Sequence, residues 1–137
     1  MGDVSQCRLV RLPRLSDGRG SLSFVQPGTM LPFEIRRVYY LYDVPPGQVR
    51  GAHGHRKLEQ LMVAVAGALE VECDDGHKTR TFRLDAPNVG LYVSPMIWRN
   101  LIGFQPGTVC VVLASAPYDE GDYFRNYNDF LAATAQR

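Results

Sequence analysis

Gln60-Leu-Met-Val-Ala-Val-Ala-Gly67-Ala-Leu-Glu-Val-Glu-Cys73-Asp-Asp-Gly76-His-Lys-Thr79-Arg-Thr-Phe-Arg-Leu84 reads as three strands in succession. Residues 69–73 alternate apolar and polar, the period of a strand with one wet face. Asp74-Asp-Gly-His77 then reads as a hairpin turn, with Gly76 supplying the positive φ. The flanking runs 60–65 and 79–84 are too short for ordinary helices. The same rhythm continues on both sides, with turn signals at Asp17-Gly18, Pro27-Gly28, Pro45-Pro46-Gly47, Asn88-Val89-Gly90 and Pro106-Gly107. Between them lie the short runs 21–25, 36–42, 90–93 and 108–114, rich in Val, Leu, Tyr and Phe. Many short strands at this spacing predict an all-β fold, a small β-barrel of the jelly-roll kind. Only residues 119–135 favour helix, for a turn or two around 129–134, which predicts a short C-terminal helical tail. No repeat or linker divides the chain, so residues 1–137 are expected to form one domain.

Composition excludes several classes. The chain of 137 residues is 45% hydrophobic and 21% charged, which is neither disordered nor collagen-like. Fifteen basic and 14 acidic residues leave a net charge of +1, so no global field recruits nucleic acid or a membrane surface. The basic side is lopsided, with 13 Arg against 2 Lys. Arginine presents a rigid fork of donors suited to phosphate and carboxylate, so the bias hints at an anionic ligand. Cys7, Cys73 and Cys110 are odd in number and widely spaced, which argues against a disulfide framework or a cysteine metal site. Residues 1–5 are polar and no apolar run approaches a membrane span, so a cytoplasmic protein is expected.

Gly47-Gln-Val-Arg-Gly-Ala-His53-Gly-His55-Arg-Lys-Leu-Glu59-Gln60 carries the chemistry. On an extended strand, i and i+2 point to one face, so His53 and His55 share a space. Gly51, Ala52 and Gly54 add almost no bulk and are expected to leave room for a ligand there. Two histidines satisfied inside a core is the plain alternative. The paired spacing, using two of only three histidines in the chain, favours a site.

This stretch resembles the first motif of the cupin superfamily, which runs Gly, five residues, His-x-His, an acidic position, then Gly. Gly47, His53, His55 and Gly67 match it if Gln60 occupies the acidic position; with Glu59 there, the last gap is one residue too long. The second cupin motif normally adds a histidine, and its counterpart is Gly90-Leu-Tyr-Val-Ser-Pro-Met-Ile-Trp98-Arg99-Asn100, which has none. A guanidinium cannot ligate a cation and repels one at short range. His77, in a turn, is a poor substitute. No metal and no cofactor are therefore expected, and the two imidazoles are better employed as acid and base. Such a pair beside arginines suits proton transfer next to a carbonyl.

Four stretches carry a closer resemblance: Arg37-Val-Tyr-Tyr-Leu-Tyr42, Arg50-Gly-Ala-His-Gly-His-Arg-Lys-Leu-Glu-Gln60, residues 90–99, and Tyr118-Asp-Glu-Gly-Asp-Tyr-Phe-Arg-Asn-Tyr127. They are similar to the dTDP-sugar 3,4-ketoisomerase family over residues 17–131. The resemblance implies a metal-free isomerase that converts dTDP-4-keto-6-deoxy-D-glucose to a 3-keto isomer, on the way to 3-amino sugars of glycans. It also implies a homodimer that exchanges N-terminal strands. His53 and His55 fall in the family's active site, with their roles undivided. Tyr39, on the same strand face as Arg37, is a candidate proton relay. Arg37, Arg50, Arg99 and Gln60 are candidates for holding substrate, and Arg19 for entering the partner's site. Arg99 after Trp98 resembles members forming the gluco product, although Gly18 lacks the side chain a relative can place there. Two other readings stand beside this one: a dTDP-sugar 3,5-epimerase, and a non-catalytic nucleotide-sugar-binding cupin. The lack of an evident Asp partner for a histidine argues against the epimerase.

Overall fold

The computed structural model describes residues 2–135, and among them twelve strands and one α-helix. The strands are β1 (Arg8–Arg11), β2 (Arg14–Asp17), β3 (Gly20–Ser23), β4 (Arg37–Leu41), β5 (Arg50–His55) and β6 (Gln60–Ala66). There follow β7 (Leu69–Asp74), β8 (Thr79–Leu84), β9 (Val89–Val93), β10 (Trp98–Ile102), β11 (Val109–Ala114) and β12 (Tyr123–Phe124), then α1 (Tyr127–Thr134). One antiparallel sheet has the order β1-β9-β6-β11-β4, and a second has β12-β5-β10-β7-β8. The expected all-β fold with a short helical tail is what forms, as two facing sheets of a jelly-roll sandwich, and among the described residues no ladder closes them into a barrel. Hairpin β2–β3 pairs with neither sheet.

The space between the sheets holds the main core, including Met62, Val71, Phe82, Leu91, Ile97, Leu101 and Val112. Strand β6 is apolar on both sides for a reason. Met62 and Ala64 face this core, while Leu61 and Val63 pack on the outer side with Leu12, Leu31, Phe33 and Tyr92. On the outer face of the second sheet, α1 lays Phe130 against Trp98 and Phe124. Asn126 caps α1 by accepting from the Asp129 N–H at 3.1 Å. Trp98 is thus a packing residue.

The β7–β8 hairpin forms as read, with Gly76 at φ +91°. Its Asp75 accepts from the backbone N–H of His77, Lys78 and Val4, each at 2.8 Å, and so ties the N-terminal turn to this end of the second sheet. Strands β1, β2, β10 and β12 were not legible in the short-run pattern, and β5 was expected from the histidine spacing alone. Strand β10 matters most, because it lies between β5 and β7 and sets Arg99 directly across from His53.

Candidate active site

Strand β5 is irregular where it enters the site. Arg99 pairs with His53 and Asn100 with Gly51, so Ala52 is one residue too many. Gly51 at φ +83° and Ala52 at φ +54° absorb it as a bulge. The bulge brings the Gly51 carbonyl to 3.0 Å from Nδ1 of His53. A carbonyl only accepts, so Nδ1 carries the hydrogen and Nε2 is left with a lone pair. His53 and His55 do share a space, their rings 4.9 Å apart and edge to face. Gly54 does not leave room for a ligand, however. It points to the other face of the sheet, where a Cβ would sit 3.2 Å from Phe130. The room it provides belongs to the helix.

His53 lines a cavity of about 310 Å³ together with Arg37, Tyr39, Arg50, Arg99 and Arg125. Arg99 is 1% exposed and the largest fully buried side chain. Its Nε and Nη2 donate to the Ile97 carbonyl at 3.2 and 3.0 Å, and its Nη1 donates to Oε1 of Gln60. Gln60 in turn donates from Nε2 to the Tyr39 hydroxyl at 2.9 Å. Among the described residues no carboxylate lies within ion-pair distance of Arg99. A buried cation held only by amide and carbonyl oxygens is costly, and an anion or developing oxyanion would offset that cost. Burial pushes the guanidinium's pKa down and that of the Tyr39 phenol up, so Tyr39 stays protonated.

Arg37 stands at the junction of this cavity and a second cleft of about 420 Å³ lined by His55, Lys57 and Asp122. Its Nε is buried without a hydrogen-bond partner among the described residues. Tyr123 is the other shared wall, its ring 5.0 Å from that of His53 and 4.3 Å from that of His55. Arg125 lies over the Tyr123 ring at 3.9 Å and is itself paired to Glu120. Arg50 reaches the cavity from an exposed rim position. Arg19 lies at the tip of the β2–β3 hairpin, 91% exposed and bound to Asp17, outside both cavities.

Both imidazoles are held neutral. Burial, then the charge of Arg99, lowers the pKa of His53 to about 4, although the Gly51 carbonyl pulls the other way. The same two causes hold His55 well below the usual imidazole range. His55 also has the carboxylate partner that the sequence did not reveal, since Oδ2 of Asp122 lies 3.1 Å from its Nδ1. The argument against an epimerase from a missing Asp is therefore overturned. Asp122, Tyr123 and Arg125 escaped the residue-level reading even though the 118–127 run contains them. They meet β5 only because β12 pairs Tyr123 with His55, a contact between segments far apart in sequence.

The donor set does not fit a metal. Beside the two histidines, the place of a third ligand is taken by Arg99, and Glu59 turns away to accept from the Tyr92 hydroxyl at 2.6 Å. Among the described residues no three His, Cys, Asp or Glu side chains gather as ligands, and His77 is exposed in its turn.

Similarity to known proteins agrees with this geometry. Residues 5–135 match the family described as "FdtA: WxcM-like, C-terminal". The chain is 42% identical over 123 residues to TDP-4-oxo-6-deoxy-alpha-D-glucose-3,4-oxoisomerase of Aneurinibacillus thermoaerophilus, covering 90% of this chain and 88% of that one. A 3,4-ketoisomerase from Helicobacter canadensis superposes with TM-score 0.91 at 36% identity, over 94% of this chain and 97% of that one. A 3,4-ketoisomerase from Thermoanaerobacterium thermosaccharolyticum, solved as a histidine-to-asparagine mutant with TDP-4-keto-6-deoxyglucose, superposes with TM-score 0.93 at 34% identity, over 96% and 95%. A chain so alike over nearly its whole length, with paired neutral imidazoles facing a buried arginine, belongs to the FdtA, WxcM-like family of sugar-nucleotide 3,4-ketoisomerases.

Proposed function

We propose that the 137-residue chain acts as one ketoisomerase domain that converts dTDP-4-keto-6-deoxy-D-glucose to its 3-keto isomer, with His53 as the carbon base. One observation carries the assignment. His53 alone of the two histidines lines the 310 Å³ cavity, with Nδ1–H committed to Gly51 and Arg99 directly across the strands. The C4 ketone acidifies the hydrogen on C3. Nε2 of His53 takes that proton, and the electron pair moves onto the C4 oxygen to give an enediolate. Arg99 and the protonated Tyr39 supply positive charge and a hydrogen for the developing oxygen. The C4 oxygen gains a proton as the C3 oxygen loses one, and C4 accepts a proton to leave the ketone at C3. Gln60 holds Arg99 and Tyr39 in one network. Arg37, Arg50 and Arg125 form the anion-binding wall for the diphosphate.

The assembly in this reading is a homodimer exchanging N-terminal strands. An apolar groove of about 300 Å³ supports it, lined by Phe24, Val38, Val63, Val65, Val111 and Leu113 on the outer face of the first sheet. Hairpin β2–β3 adds Leu15 and Leu22, 61% and 56% exposed, on a unit that pairs with neither sheet. In such a dimer Arg19 would reach the partner's cavity. Among the described residues no helix is long and apolar enough to cross a membrane, and the biosynthetic role fits a cytoplasmic enzyme.

Incubation with dTDP-4-keto-6-deoxyglucose in D₂O, followed by NMR, tests the reaction. Loss of the C3 proton with deuterium gained at C4 is expected, and the coupling constants report gluco or galacto configuration. An unchanged sugar spectrum rejects the assignment. Light scattering tests the assembly, and a fully active monomer would reject the exchange of strands.

A further inference from the structure

The 3₁₀ turn Glu120–Asp122 ends beside the start of the loop that follows β5. Two backbone contacts fix it there: Asp122 N–H donates to the Asp119 carbonyl at 3.0 Å, and Arg56 N–H donates to the Asp122 carbonyl at 2.9 Å. The Asp122 carboxylate is then held by two further backbone donors, Lys57 N–H on Oδ1 at 2.8 Å and Leu58 N–H on Oδ2 at 3.2 Å. Only with both oxygens so placed does Oδ2 meet Nδ1 of His55 at 3.1 Å. The carboxylate is 14% exposed and His55 1% exposed, so water competes poorly for either. An ionised carboxylate only accepts, which puts the hydrogen of His55 on Nδ1. Its Nε2 is buried and has no hydrogen-bond partner among the described residues. A buried nitrogen lone pair kept without a partner is a cost the fold would shed unless something used it.

We infer that Asp122 is a positioning residue for the isomerisation, acting through His55: it locks that ring as the Nδ1–H tautomer, so that Nε2 serves as a second proton acceptor beside His53. The need for two acceptors follows from the reaction proposed above, on which this inference rests. Moving a ketone by one carbon relocates one proton between carbons and another between oxygens. A single imidazole that has just taken the carbon-bound proton cannot also accept the hydroxyl proton. His55, its ring 4.9 Å from that of His53 and close against Tyr123, is the group available for the second proton. Asp122 also has the right charge to steady the imidazolium that forms when Nε2 is protonated, much as the carboxylate of a hydrolase triad does for its histidine.

The test uses the full-length protein labelled with ¹⁵N-histidine. Long-range ¹H–¹⁵N correlation at neutral pH reads the tautomer of each ring, and His55→Gln identifies the His55 signals by their loss. A protonated Nδ1 and bare Nε2 at His55 are expected in the unaltered protein. In Asp122→Asn the hydrogen should move toward Nε2, with kcat down by about 100-fold and KM changed only a few-fold. A purely structural role would lower the melting temperature without moving the tautomer. Finding Nε2–H at His55 in the unaltered protein overturns the inference, whether or not the variant folds. So does a folded Asp122→Asn protein with an unchanged tautomer and full kcat. The ring-nitrogen spectrum reports the carboxylate–imidazole pair even if the sugar proves to be a different one, so the two readings can fail separately.

Discussion

At the scale of the single residue, His53 and Arg99 depend on each other in opposite ways. Burial first, and then the charge of the guanidinium, keep the imidazole neutral, and the imidazole offers the guanidinium no countercharge. Replacing His53 with Asn, close in size, should leave dTDP binding largely intact and cut turnover by about 100-fold or more, measured by calorimetry and NMR assay. The pH profile follows from the same pair. An ordinary histidine base loses activity below about pH 6.5, where it protonates. With His53 held to about 4, the acid limb of kcat/KM should fall near pH 4, wherever circular dichroism shows the chain still folded. The sign for stability is also fixed. Between those two pH values the unfolded chain binds a proton that the folded site refuses, so stability declines as the pH falls through this window. A limb near pH 6.5 would mean that the cavity does not depress the imidazole. The histidine pair was legible because a spacing of two is a strand's own period, and the placement of Arg99 beside it because a histidine was missing from that position. Asp122 was hidden, since no local pattern ties it to a residue that lies 67 positions away.

At the scale of the element, the second sheet is a strand layer with chemistry on one face and a helix on the other. Strand β10 shows why it was missed. Its Trp98-Arg-Asn-Leu-Ile102 looks too polar for a buried strand because Arg99, inside, serves the cavity, while Trp98 faces α1. Cavity-lining residues thus disguised the element that carries them, whereas β7 and β8, which line no such cavity, read cleanly. Gly54 illustrates the opposite error, in which small size beside a histidine suggested ligand space. A Cβ there would lie 3.2 Å from Phe130 Cδ1 and 3.3 Å from the Ile97 carbonyl. Gly54→Ala should therefore lower stability by about 1–3 kcal/mol, read as an earlier melting transition. An unchanged melt would show that α1 sits more loosely than its buried Phe130 implies.

At the scale of the whole molecule, the all-β architecture and C-terminal helix were readable because turn residues recur between short apolar runs. The partition of strands between two sheets was not, since antiparallel order depends on contacts across the chain. That partition leaves an imbalance. The carboxylate, the aromatic wall and the outer arginine of the site all arrive on one late segment, residues 118–125. This segment joins the second sheet through β12, a rim strand of two residues with two pairs to β5. Such a rim opens at a smaller free energy than the interior ladders. In a urea titration, turnover should disappear at a lower concentration than far-ultraviolet ellipticity does. Catalytic failure, on this view, begins as a local peeling of the sheet's margin, and a sandwich that still looks native by spectroscopy can already be inert.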